Sequence, residues 1–240
     1  PYALIDASAT GVGTSFATID SSGATGVANA MVRALSASEY AATLSAGNNI
    51  LLATGTALSG TLGMSINSLT LASGGSVALT NQQQLSLTSG GLLMRAGNGG
   101  ISGGFLTSGA TSLWVYTPAT AASTQTITSV LIGAFTGGLT KSGTGTLVLG
   151  STLPGYTGLS ANTFTGQTTV NEGTLRLATG AGSALGITAP QALQVNAGGL
   201  DGNGGVLDLN GNFLVVSTLS NQGAANGANV AGGLITSTTA

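Results

Sequence analysis

Along much of this chain, hydrophobic and polar residues alternate in short bursts. Ser68-Leu69-Thr70-Leu71, Gln84-Leu85-Ser86-Leu87, Thr146-Leu147-Val148-Leu149, Thr174-Leu175-Arg176-Leu177 and Val206-Leu207-Asp208-Leu209 share one pattern. A period of two is that of a β-strand, which sends alternate side chains to opposite faces. The leucines are expected to point inward and the residue between them to meet solvent. Arg176 and Asp208 are therefore expected as solvated strand positions.

Turn formers separate the bursts. Gly74-Gly75, Gly90-Gly91, Gly99-Gly100, Gly103-Gly104, Asn171-Glu172-Gly173 and Asn210-Gly211 each offer a position that tolerates positive φ. The spacing between successive Leu-x-Leu triplets is irregular. One strand chemistry with connections of varying length fits a solenoid whose coils differ in their loops. A different pattern occupies 36–47, SASEYAATLSAG. Ser36 and Glu39 stand at capping-box spacing, Tyr40 and Leu44 lie four apart, and Gly47 is a stop. A short helix is expected near 37–46, as a cap or side layer of an N-terminal segment, 1–48. Weak strands precede it at Tyr2–Ile5 and Ser15–Ile19. Residues 49–240 are assigned to the solenoid.

Composition sharpens this picture. Charged residues are 4% of the 240, against about a quarter in ordinary globular proteins. Hydrophobic residues reach 42%, too many for a disordered chain, which combines low hydrophobicity with high net charge. The 41 glycines follow no Gly-X-Y period, and four prolines are too few for collagen. The four cations Arg33, Arg95, Lys141 and Arg176 are scattered, so no basic patch exists to displace counterions from nucleic acid. No apolar run approaches the length that spans a bilayer as a helix. The start at Pro1 and the close on LITSTTA are expected to mark a mature or internal segment of a longer secreted chain.

Residues 137–178 carry the most specific signature. Leu139-Thr140-Lys141, Gly143, Gly145-Thr146-Leu147 and Leu149 are followed by Asn162, Phe164-Thr165-Gly166, Thr168, Val170, Gly173-Thr174-Leu175 and Leu177. This stretch resembles the autotransporter-associated β-strand repeat of bacterial surface proteins. It departs from that pattern in an extended loop at 151–160 and in Phe164, where a tyrosine is usual. The resemblance implies a right-handed parallel β-helix of the passenger type, displayed on the bacterial cell surface or released outside the cell. It implies a motif that serves export and folding and supplies no catalytic residue.

The residues themselves offer little chemistry. Without histidine or cysteine, the usual Ser-His-Asp and Cys-His catalysis and imidazole or thiolate metal sites are excluded. Six carboxylates remain: Asp6, Asp20, Glu39, Glu172, Asp201 and Asp208. Asp201 and Asp208 are the pair closest in sequence and the candidates for an acid pair. The Gly-rich stretch at Asp201 lacks the ligands of a calcium loop and is read as a turn, with a weak ion site as the alternative. Thr140-Lys141-Ser142 lacks the glycine of a phosphate loop, so Lys141 is expected as a surface charge ahead of a strand. Trp114 in Ser112-Leu113-Trp114-Val115-Tyr116 fits a packed strand; with Tyr116 and Tyr156 it also offers rings for a glycan to stack on.

The expectation is an all-β parallel solenoid, noncatalytic and without cofactor, structural and extracellular. Sparse surface charge does little to oppose self-association, end to end or lateral. An adhesin or glycan-binding module is the alternative, and a polysaccharide-degrading β-helix enzyme is the third reading.

Overall fold

The computed structural model describes residues 3–5, 15–20, 31–59, 63–95, 97, 99–118, 123–133, 135–151, 161–180, 184–185, 191–197, 204–222 and 233–238. The chain winds into a β-solenoid of about six turns whose strands pair in parallel with the coil before and the coil after. Three faces recur. Face A stacks Tyr40–Ala41, Asn49–Leu52, the end of Met64–Leu71, the end of Ser76–Met94, Ser112–Tyr116, Gly138–Ser142, Thr168–Val170, Gln191–Val195 and Val216–Ser220. Face B stacks Gly55–Leu58, the start of Ser76–Met94, the start of Gly100–Ser108, Thr124–Ile127, Thr146–Leu149, Gly173–Leu177, Gly205–Asp208 and Leu234–Thr236. Face C is shorter. It pairs the start of Met64–Leu71 with 84–87, 105–108 and Val130–Leu131.

Parallel stacking turns the alternation of the sequence into vertical columns. On face B, Val77, Ile101, Ile127, Leu149 and Leu177 lie above one another, every one of them buried. Beside them run Gln125, Leu147, Leu175, Leu207 and Ile235. On face C, Met64, Leu85, Leu106 and Leu131 form a third column. Phe135 and Phe164 stack at 5.1 Å with their planes 10° apart. Each buried Leu or Ile adds about 1.5–3 kcal/mol by leaving water, and the column repeats that gain coil by coil.

Some expected turns lie inside strands. Ser76–Met94 is one continuous 19-residue strand, and Gly90 bends it at φ +70°. Gly103 and Gly104 do the same within Gly100–Ser108. Here the glycines turn corners between faces without breaking the pairing.

The helix expected near 37–46 shortens to a single 3₁₀ turn, Ala37–Glu39. The predicted capping contact is present, since the Ser36 N–H donates to the Glu39 carboxylate at 2.7 Å. Arg33 grips the same carboxylate at 2.5 and 3.1 Å. The next residues leave the helix because Tyr40–Ala41 pairs in parallel with Asn49–Ile50, and the Tyr40 hydroxyl lies 3.0 Å from Ser15 Oγ. Sheet pairing outcompetes a helix too short to be stable alone.

Before this turn, Leu4–Ile5, Ser15–Asp20 and Met31–Ala34 make a separate antiparallel sheet. It meets the outer side of face A through Phe16, which is fully buried and sits edge-on to Tyr116 at 6.4 Å.

Leu175→Ala tests the columns. It empties a position between Leu147 and Leu207, both fully buried, and is expected to cost about 2–5 kcal/mol in urea denaturation. A change under about 0.5 kcal/mol contradicts the inward placement.

Candidate functional site

The two halves of the 137–178 signature are successive coils in register: Leu139 pairs with Thr168, Lys141 with Val170, Leu147 with Leu175 and Leu149 with Leu177. Leu139, Leu147, Leu149, Phe164, Val170, Leu175 and Leu177 are buried as their alternation requires. Thr140 faces outward between Trp114 and Thr169. Thr146 and Thr174 stack on the outer side of face B, and Thr165 is exposed while Gly166 is buried.

Lys141 overturns its expectation. It is 0% exposed and occupies an inward column of face A, in the order Ile50, Leu69, Leu92, Val115, Lys141, Val170 and Val195. The reason is parity: a strand that points Leu139 inward points residue 141 inward too. The stem lies among aliphatic side chains and the ammonium reaches the corner that follows. There it donates to the carbonyl oxygens of Gly143, of Gly145 at 2.7 Å, and of Glu172 at 2.8 Å. Three N–H donors meet three acceptors, which is how a buried ammonium is tolerated. Burial pulls the Lys141 pKa down to about 7, while the Glu172 carboxylate pulls it up.

The corner ties three coils together. Thr117, on the coil before, accepts from the Gly145 N–H at 2.8 Å and donates its hydroxyl to the Gly145 carbonyl at 3.3 Å. Gly173, on the coil after, sits at φ +64°. A Cβ there would lie 2.6 Å from the Gly145 oxygen and 2.7 Å from Lys141 Nζ, so the cage requires glycine at this position. Outside the corner an amide ladder climbs the stack. Asn171 donates to Ser142 Oγ at 3.1 Å, Asn196 to Asn171 Oδ1 at 2.6 Å, and the Gln222 N–H to Asn196 Oδ1 at 3.1 Å.

Other buried polar side chains repeat this device: Gln125 and Gln191 share the inward parity of their strands, and Asn162, outside any strand, belongs to the 137–178 signature. Gln125 gives its amide to the carbonyls of Arg95, at 2.9 Å, and of Gly97. Asn162 accepts from the Leu131 N–H at 2.7 Å and donates to Ala184. Gln191 donates to the Phe164 carbonyl. Each satisfies backbone groups that the parallel ladder leaves free where a loop departs.

Asp208 also departs from expectation, with 2% of its side chain exposed. Arg176, directly beneath it in the column, donates Nε to Oδ2 at 2.7 Å. The Thr238 hydroxyl and N–H donate at 2.5 and 3.0 Å, and the Asn210 N–H at 2.9 Å. Burial pushes the carboxyl up, but these hydrogen bonds outweigh it and hold Asp208 at about 2. Such a carboxylate is a poor general acid near neutral pH. Asp201, its partner in the candidate acid pair, lies outside the described residues, as does Tyr156. Trp114 and Tyr116 lie two apart on the outer side of face A, where Phe16 meets the Tyr116 ring.

Among the described residues no group of three or more His, Cys, Asp and Glu is placed to hold a metal ion, and no helix is long and apolar enough to cross a membrane. A small cleft of about 10 Å³ opens beside the last described coil, between Thr168, Gln191 and Leu214–Val216, with no charged group in its lining. It is below the range of roughly 300–1,000 Å³ usual for small-molecule sites. No family model, curated protein or solved structure matches the chain.

The Lys141 pKa has a consequence for stability. Its folded value of about 7 lies below the ordinary 10.5, so between these values the unfolded chain holds a proton that the folded chain has released. Stability is expected to rise with pH from about 7 and level off near 10.5. Urea midpoints measured across this range check it, and Lys141→Met is expected to lose the rise.

Proposed function

We propose that this chain is a noncatalytic, structural β-solenoid of the cell surface or extracellular space, and that copies associate end to end or side to side. One observation carries the reading: the last described coil leaves its apolar positions open. Leu219 continues the column of Leu113, Leu139, Thr168 and Leu193, yet is 59% exposed, and Ile235 above Leu207 is 39% exposed. Phe213 and Val215 beside them are more exposed still. Among the described residues no later strand pairs with Val216–Ser220 or Leu234–Thr236, and an unpaired strand edge is a template for further pairing.

The resemblance of 137–178 to the autotransporter-associated repeat supports an exported, surface-displayed chain. The motif residues serve the core and its corners, which supports a structural role for them. An enzymatic reading gains nothing from Asp208, whose carboxylate is committed to four hydrogen bonds. The glycan-binding reading is weakened where Phe16 covers an edge of the Tyr116 ring.

Sedimentation and electron microscopy over a range of protein concentrations test the proposal. The expected result is a mass that rises with concentration, with rods or filaments, and a marked reduction in Leu219→Asp/Ile235→Asp. A monomer at every concentration, with no filaments, overturns the assembly.

A further inference from the structure

The corner formed by Gly143, Gly145 and Glu172 is three backbone carbonyl oxygens aimed at one buried point. A cation is favoured there because carbonyl dipoles of one sign converge, and an ammonium with three N–H donors reaches all three oxygens, although the Gly145 oxygen also accepts from the Thr117 hydroxyl and the Thr174 N–H. The Glu172 carboxylate adds a negative field, and Gly173 keeps the space free of a Cβ. We infer that this corner is a primary-ammonium binding site, which the chain fills with its own Lys141 side chain. The ligand is tethered: its alkyl stem occupies the aliphatic column between Val115 and Val170, and its head links the turn of one coil to Glu172 of the next.

The alkyl chemistry of the site follows from the same column. A ligand must carry an apolar stem a few carbons long and an ammonium with three free hydrogens. A hydrated metal ion satisfies the head and not the stem. An alcohol satisfies the stem and one oxygen of the three. The site therefore selects a short primary alkylammonium over the alcohol of the same length, which offers one donor, and over a quaternary ammonium, which offers none.

Removing the tether while leaving the site tests this. Lys141→Ala deletes Cγ, Cδ, Cε and Nζ, the atoms of n-propylammonium. At pH 6, where the amine is protonated, n-propylammonium chloride is expected to raise the melting temperature of Lys141→Ala by about 3–5 °C at a tenfold excess over its Kd. Tetramethylammonium chloride at equal ionic strength and 1-propanol at equal concentration are expected to give less than half of that. Wild type and Lys141→Met, whose columns are already filled, are expected not to respond. Lys141→Met is also expected to melt below wild type at pH 6, since it leaves the carbonyls of Gly143 and Glu172 without the ammonium. If Lys141→Ala does not fold alone, recovery of folded protein on refolding with n-propylammonium, and not with 1-propanol, becomes the readout. Equal rescue by 1-propanol reduces the site to a volume and overturns the inference, as does no rescue by n-propylammonium. Lys141→Met as stable as wild type at pH 6 overturns it too.

Discussion

The parallel coil imposes one constraint on everything else: each turn must place an inward side chain above the inward side chain at the equivalent position of the turn before. Backbone hydrogen bonds fix the spacing between coils, and the columns of Leu, Ile and Val fill what they enclose. A coil that supplies its column residues is free to vary between them, because only the strands must register. Loops of unequal length are thus compatible with a regular core, and the irregular spacing of the Leu-x-Leu triplets follows.

The same constraint explains the polar interior. Wherever a loop leaves the ladder, carbonyl and N–H groups lose their neighbours, and a buried orphan costs about as much as a lost hydrogen bond. Gln125, Asn162, Gln191 and Lys141 each extend from a core position to the departing backbone. Lys141 is the extreme case, since a charge replaces an aliphatic rung and is held by carbonyls of two coils. Gly173 belongs to that arrangement, as any larger residue would enter the cage. The signature at 137–178 is therefore a pair of stacked coils together with the device that closes their shared corner.

Much of the fold was legible in the alternation. Leu69, Leu71, Leu85, Leu87, Leu147, Leu149, Leu175, Leu177 and Leu207 all lie in the core, where period two placed them. The corners were less legible, because a glycine that bends a continuous strand and one that ends it look alike in sequence. The reading failed at two charged residues. Lys141 was assigned to solvent as a charge ahead of a strand, whereas parity put it inside; Asp208 was assigned to solvent by alternation, and hydrogen bonds from Thr238 and Asn210 enclosed it. Partners that come from other coils, some 30 residues away, leave no trace in a local window. The antiparallel sheet that carries Phe16 onto Tyr116 was visible only as weak strands for the same reason.

The burial of Lys141 is the claim on which this account turns, and the chain makes it directly measurable because Lys141 is its single lysine. An amine-reactive reagent applied to the folded protein, followed by peptide mapping, reads its accessibility. The account predicts that the peptide containing Lys141 stays unmodified in the native protein and is modified readily once urea unfolds it. Rapid modification of Lys141 in the native protein, at the rate of the unfolded chain, would contradict the account.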